Sequence, residues 1–478
     1  MVINKTASHI LIFNPVVKPV PTPEIRDPKY PTFAPETVPI KIFLDSLGND
    51  PYAFRVEYNL ACRFAGPLTD KMRWDKLRDR IGQQASEFME RQLPSFVLKG
   101  GRLLDPANGW DGPLDVLVRN GIVEAIEPNG ACDGAKVIDV SGLVVTPGLI
   151  DVHLHLMKGL GAFGVDPDIF GVGSGVTTVV DAGSAGHSLL NIFRNYVTNN
   201  ARTRVLNYVN LSTLGGVTGP GYSILADSRL IDEDKIAAAV EANRDIIVGI
   251  KIMATGGALG AQGMKPLERA RKLGDALKLP LLVHIGESWT KDTAPVHVGD
   301  VLRYLRAGDI VTHMFTAHPG GLLDGNGKLW PQVRDAKESG VLMDVGHGLH
   351  NLNFDVARKV LDQGLQPDGV STDGHRGNRL GPVYDLPTTM AKLMALGFSL
   401  EQVVEMATLN AARLLGRAHE LGSIRMGQPA DISVLRLEER DWQAVDSQKG
   451  TLRAGQALVP VYAIRGQSIY EPVPDDRP

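Results

Sequence analysis

Cysteine is nearly absent: two residues, Cys62 and Cys132, stand far apart in a chain of 478. That excludes a disulfide scaffold and is compatible with a reducing cytoplasm, where we expect the protein. No stretch approaches the ~20 consecutive apolar residues of a membrane span. The early apolar segment HILIF is brief and has no clear cleavage site after it, so the N-terminus reads as mature sequence. Charge of one sign is not concentrated anywhere, and the formal net charge is only −4. Neither nucleic acid nor an anionic membrane is therefore expected as a partner. What remains is an ordinary globular composition, 43% hydrophobic and 22% charged.

The length exceeds one small domain and suits a barrel of ~250 residues with accessory parts. Residues 14–39 carry eight prolines and should form an extended arm. In residues 68–93, Leu68, Met72, Trp74, Leu77, Ile81, Ala85 and Phe88 recur at helical spacing, which predicts an amphipathic helix. From about residue 96, short strands are broken by Gly, Asn and Pro turns, and the stretch from Gly422 to Tyr470 behaves alike. Between these β-rich flanks, strand-like runs such as GVTTVVDAG, RVLNYVNL and PLLVHIG alternate with helical ones such as PLERARKLGDAL. Such alternation argues for βα units and a parallel sheet, and a strand count near eight favours a closed barrel. A doubly wound sheet would need a glycine-rich phosphate loop after its first strand, and none is there. We expect an N-terminal extension over 1–95, an α/β barrel over 147–420, and β-rich flanks over 96–146 and 421–478.

Five of these strand-like runs end in residues able to ligate a metal. They are LIDVHLHL with His153 and His155, VGIKI with Lys251, LLVHIGE with His284, DIVTHMF with His313 and GVSTDGH with Asp373. The C-terminal strand ends are where (β/α)₈ barrels build their active sites. Residues i and i+2 of a strand point to the same side, so His153 and His155 can grip one ion. Lys251 is the odd member, because a buried ammonium is costly and has no lone pair to offer. His318, five residues after His313, is a reserve ligand.

The segment PGLIDVHLH resembles the first-strand signature of the amidohydrolase superfamily, metal hydrolases with a (β/α)₈ barrel and a small β-sandwich. The likeness covers roughly residues 97 to 470 and includes the closing LGSIRMGQPADISVL segment, which implies that the flanks 96–146 and 421–478 are joined in one composite β-sandwich. It implies a binuclear centre in which CO₂ has carboxylated Lys251, and the carbamate bridges two divalent metal ions. His153, His155, Lys251 and Asp373 would hold one ion, and Lys251, His284 and His313 the other. Zinc is the expected metal, with Co, Mn or Fe as alternatives. A hydroxide at the metal would attack a carbonyl, with Asp373 as general acid and base. The resemblance thus implies a hydrolase of carbon–nitrogen bonds acting on a small molecule, and the added N-terminal segment suggests a homo-oligomer.

Departures within the family narrow the substrate. Dihydroorotases and cyclic-imide hydrolases carry an arginine two residues after His-X-His, where this chain has Met157. Glu287 in HIGES is similar to the proton-shuttling glutamate of mononuclear deaminases, an alternative that Lys251 opposes. VYDLPTTMAKLMALG resembles a marker of the deacetylase and dihydroorotase-like branch. After Lys251 that branch has cationic residues, whereas this chain has the glycine-rich loop 255–263, read as a lid or a substrate-facing wall. A small N-acyl or amide substrate is expected, with a neutral anilide, carbamate or urea favoured over an N-acyl amino acid. Ester deacetylation and deamination are the alternatives. His187, His347, His375 and Arg379 follow probable strands and are expected to line the substrate pocket; Tyr222 and Trp289 are weaker candidates for an apolar wall.

Overall fold

The computed structural model describes residues 88–472 apart from 131–133, 162, 220–222 and 291–292, together with a short antiparallel pair, Ile42–Phe43 with Arg55–Val56. The chain divides into two units, Met1–Gly82 and Gln83–Pro478. Everything below concerns the second. The Pro-rich arm and most of the predicted helix over 68–93 lie outside the described residues.

Seven parallel strands follow one another in sequence order: β1 Leu149–Leu154, β2 Val176–Gly186, β3 Arg204–Asn210, β4 Ile247–Met253, β5 Leu281–His284, β6 Ile310–Thr312 and β7 Leu342–Asp344. The eighth position belongs to residues 369–374. They bridge in parallel to both neighbours, Gly369 with Asp344 and Gly374 with Leu154. The His155 N–H donates to Gly374 O at 3.0 Å, and the His347 N–H to Ser371 O at 3.1 Å. These bonds join β7 back to β1 and close the ring. Asp373 takes a positive φ of 48° at this point, which interrupts regular pairing.

Helices separate the strands as the 3.6-residue periodicity predicts, among them Glu233–Glu241, Lys265–Leu277 and Phe354–Leu361. Each buries its apolar stripe, for example Leu267, Ala270, Leu273 and Leu277, in the shell between barrel and helices. Within the sheet, Gly249 leaves room for the Tyr208 ring; a Cβ there would lie 2.6 Å from Tyr208 Cε1.

The second layer is a β-sandwich. Its seven-stranded sheet runs in the order Phe88–Gln92, Ser468–Pro472, Thr451–Arg465, Asp431–Val445, Val144–Pro147, Arg102–Asp105 and Trp110–Pro113. A four-stranded sheet of Ile122–Glu127, Asp115–Arg119, Ser95–Lys99 and Lys136–Asp139 faces it. Phe96, Leu98 and Val118 from before the barrel pack with Ile432, Val434 and Ile464 from after it. One expectation is corrected here. Residues 88–92, assigned to the end of a helix by periodicity, form a strand, because Ser468–Pro472 offers an open sheet edge that pairs with them. Among the described residues, no helix is long and apolar enough to cross a membrane.

Candidate metal centre and its cavity

Parallel pairing sets the strand ends side by side: Met253 pairs with His284, His284 with Thr312, and Thr312 with Asp344, while Lys251 lies two residues earlier, opposite Leu282. His313 directly follows Thr312, and both it and Asp373 adopt the left-handed region, at φ 75° and 48°. For non-glycine residues this costs on the order of 1–3 kcal/mol each, and such strain concentrates at functional sites. Ligand atoms of His153, His155 and Asp373 lie within 4.8 Å of one another.

Neighbouring groups aim the imidazoles. Thr312 Oγ1 donates to Asp344 Oδ2 at 2.7 Å, so it accepts from His153 Nδ1 at 3.0 Å. The His153 Nε2 lone pair then faces Asp373 Oδ1 at 3.4 Å and Lys251 Nζ at 3.3 Å. His155 Nε2 stands 3.2 Å from the same Asp373 oxygen, and its Nδ1 pairs with Ser184 Oγ at 3.0 Å. The Gly346 carbonyl accepts from His313 Nδ1 at 2.7 Å, leaving the His313 Nε2 lone pair opposite His284 Nδ1 at 2.8 Å. His284 Nε2 is buried with no hydrogen-bond partner. Lone pairs that converge inside a buried site, with one imidazole nitrogen left unpartnered, fit cations better than they fit one another. The donor set of four imidazoles and a carboxylate is one that zinc accepts.

Protonation points the same way. Burial, with Lys251 next in effect, holds His153 neutral well below its usual range. Burial and His313 do the same to His284, and burial brings His313 down to about 4. At Asp373, burial pushes the carboxyl upward, but His153, His155 and His313 outweigh it and hold it well below the usual carboxylate range. Lys251 is buried, and burial lowers it from 10.5 to about 8, against the pull of Asp373, Asp344 and Asp181. Its stem passes over Gly183, where a Cβ would lie 2.6 Å from Lys251 Cβ and where φ is +83°. Only glycine fits there. Behind the ligands, burial raises Asp344 to about 6 and Asp151 to about 7 despite their hydroxyl donors.

Comparison with known proteins agrees with this geometry. The amidohydrolase family model matches residues 144–458. The chain belongs to the amidohydrolase family. It is 34% identical over 359 residues to a deacetylase of Brucella anthropi, covering 74% of this chain and 87% of that protein. It is also similar to crystal structures titled as an adenine deaminase and a dihydroorotase, with TM-scores of 0.73 and 0.72. Each is 30% identical, and each match covers 79% of this chain and 99% of the other. This amidohydrolase is accordingly an enzyme, a metal-dependent hydrolase of carbon–nitrogen bonds.

The cavity of the amidohydrolase opens over this centre with about 660 Å³ of space. His155, Lys251, His284 and Asp373 form its floor. Phe163, Ile224, Met253, Trp289 and Leu349 line it with apolar surface, and Asn210, His350, Asn351 and His375 add polar groups. Phe163 meets His375 edge-on at 4.9 Å and lies 6.2 Å from Trp289. Trp289 meets His350 at 4.7 Å. The result is an aromatic wall on one side of the cavity.

Of the four expected pocket residues, only His375 lines this cavity. His187 sits outside the lining and bonds Thr213 Oγ1 through Nε2 at 3.1 Å. His347 is fully buried behind the lining, with Nε2 2.9 Å from Lys392 Nζ. Arg379 is also outside the lining. Strand-end position brought these residues near the mouth, but loop direction turned them aside. Trp289 does line the cavity, and Tyr222 lies outside the described residues. The reserve ligand His318 packs against His350 with ring centroids 6.3 Å apart.

The glycine-rich stretch 255–263 is not an open loop. It forms helical turns, Gly256–Leu259 and Gly260–Gln262, and Thr255 caps the first by accepting from the Ala258 N–H at 3.3 Å. Glu287 pins this turn: its carboxylate accepts from the Gly257 N–H at 2.8 Å and from the Trp289 and Thr290 N–H groups at 3.3 Å. Sequence reasoning missed Phe163, Ile224, Met253 and Asn351. They are unremarkable apolar or amide residues on loops and strand ends, and no local pattern marks them.

Proposed function

We propose that this amidohydrolase cleaves the acyl–nitrogen bond of a small neutral amide carrying an aryl group, with an anilide, aryl carbamate or aryl urea as the substrate class. One observation carries the reading. Among the described residues, no arginine lines the cavity and its one lysine is Lys251, while Phe163, Trp289, Met253, Ile224 and Leu349 present apolar surface. A carboxylate-bearing substrate would be desolvated there without a cation to pair with it.

His153, His155, Asp373 and a carboxylated Lys251 would hold one divalent ion, and Lys251, His284 and His313 a second, most simply zinc. Bound metal supplies Lewis acidity, which lowers the pKa of water and polarises a carbonyl. The residues do the rest. Asp373, ionised and within 3.4 Å of two imidazoles, takes the proton of the attacking water and passes it to the departing nitrogen. Burial makes Lys251 a neutral amine at mildly alkaline pH, the form that reacts with CO₂. The aromatic wall receives the aryl group and excludes water from it.

The same attack would cleave an ester, and the relative named a deacetylase favours a short acyl group. Deamination has less support, because the Glu287 carboxylate is occupied by three backbone N–H groups. The decisive experiment is a hydrolysis screen of zinc-, cobalt- and manganese-loaded enzyme. Its substrates are p-nitroacetanilide, phenyl carbamates, phenylureas, phenyl acetate and N-acetyl amino acids. Preference for the N-acetyl amino acids over every neutral aryl substrate overturns the reading.

A further inference from the structure

One wall of the cavity is made by the loop after β7, which contributes Leu349, His350 and Asn351. Such a loop has little structure of its own, yet here it is held from outside the barrel. The strands Asp431–Val445 and Thr451–Arg465 form a long antiparallel hairpin of the sandwich, paired as far as Val445 with Thr451. Its turn, residues 446–450, reaches the β7 loop.

The contacts are specific. Ser447 Oγ donates to Gly348 O at 2.9 Å and accepts from the Leu352 N–H at 3.1 Å. The Ser447 N–H donates to Leu352 O at 2.9 Å. Asp446, also buried, accepts the Phe354 N–H at 2.9 Å through Oδ2, and its Oδ1 accepts the N–H groups of Gln448 and Gly450 that shape the turn. Asn353 Nδ2 donates to Gln448 Oε1 at 3.1 Å. Beneath them lies Lys392 of the helix Leu386–Ala395, fully buried and without a carboxylate in hydrogen-bond contact. Its Nζ donates to Val445 O at 2.9 Å and to Pro382 O, and lies 2.9 Å from His347 Nε2. One amine thus ties hairpin, helix and loop together.

The far side of the loop bears on the chemistry. A Cβ on Gly348 would collide with Asp373 Oδ2. His350 packs edge-on against Trp289 at 4.7 Å, and the Thr316 hydroxyl donates to Asn351 Oδ1 at 3.3 Å.

We propose that the hairpin turn 446–450, locked by Lys392, is the positioning element of the β7 loop, and that Ser447 and Asp446 thereby set the aryl-binding side of the cavity. These are positioning residues, since none of them lines the cavity. The inference builds on the reading of this cavity as the substrate site.

Ser447→Ala removes one hydroxyl and tests the idea in the full-length, zinc-loaded enzyme, with Ser447→Thr as the conservative control. Hydrogen exchange of peptides covering residues 347–354 reads the loop directly. Binding of benzohydroxamate and of acetohydroxamate, both of which chelate zinc, reads the wall by calorimetry. In Ser447→Ala, loop exchange should accelerate and benzohydroxamate affinity should fall about tenfold, while acetohydroxamate stays within about twofold and Ser447→Thr restores both readouts. Unchanged exchange, or an equal loss for both hydroxamates, overturns the proposal. If neither hydroxamate binds the unaltered enzyme, the reading of the cavity fails, while the exchange arm still decides whether the hairpin holds the loop.

Discussion

The floor and the wall of one cavity are built by different rules. The floor is made of strand ends: His153 and His155 on and just beyond β1, Lys251 on β4, His284 on β5, His313 after β6 and Asp373 in the eighth segment. Parallel pairing brings these strand ends side by side, with Lys251 opposite Leu282, two residues before His284. The wall is made of loops, Phe163 after β1, Trp289 after β5 and residues 349–351 after β7. Their positions depend on contacts from Glu287 and from a hairpin a hundred residues away in sequence. Floor residues should therefore control whether the reaction occurs, and wall residues which molecule undergoes it.

Asp373→Asn gives the largest separation. It keeps the shape but removes the proposed base, and kcat should fall by about 10²–10⁴-fold when measured at saturating metal. A loss confined to KM would put Asp373 on the wrong side of the comparison.

Lys251 supplies a pH test of the floor. Only its neutral form attacks CO₂, and burial has brought it from 10.5 to about 8. When metal-free enzyme is given zinc at a fixed concentration of dissolved CO₂, recovery of activity should quicken about tenfold per pH unit below that value and level off above it. The sign for stability is fixed by the same shift. Between pH 8 and 10.5 the unfolded chain binds more protons than the folded one. The metal-free protein therefore carries the cost in full below pH 8, and sheds it as pH rises. A recovery rate that is flat across pH 6.5–9 would remove Lys251 from the mechanism.

Gly183→Ala should be damaging although it replaces none of the candidate ligands, because its Cβ would strike the stem of Lys251 and its φ is +83°. We expect a loss of about 1–3 kcal/mol in stability. Metal content, read by elemental analysis, should drop with it. Full metal loading at an unchanged melting temperature would contradict the tight passage of the lysine stem.

On the wall, Trp289→Ala should raise KM for p-nitroacetanilide about tenfold, the scale of a partly buried aromatic contact, and leave kcat nearly unchanged. A pure kcat effect would show that the wall does more than bind. The smallest effect is expected at His187, which is outside the lining. His187→Ala should stay within about twofold in both constants, and a larger change would extend the wall to the β2 loop.

Legibility follows the same division. His153 and His155 could be paired because strand periodicity points residues i and i+2 to one side, while Lys251, His284, His313 and Asp373 were joined to them by what the family resemblance implies. Phe163, Met253 and Asn351 could not, since nothing local distinguishes a cavity residue from a buried one. His187, His347 and Arg379 lie outside the cavity lining for a related reason: a position after a strand says where a loop starts, not where it goes. The segment at Phe88–Gln92 misled through its periodicity, which a free sheet edge overrode.

Short-range alternation of apolar and polar residues is enough to mark the barrel and the β-rich flanks on either side of it, while the joining of those flanks in one sandwich and the candidate ligand set were what the family resemblance implied. Packing in three dimensions was needed to show that Thr312 and Ser184 orient the imidazoles. It also shows that the Glu287 carboxylate accepts from the backbone of a helical turn, and that a sandwich hairpin reaches the wall of the barrel's cavity. Those contacts join residues far apart along the chain, and hydrogen bonds of that kind leave no periodic trace in the order of amino acids.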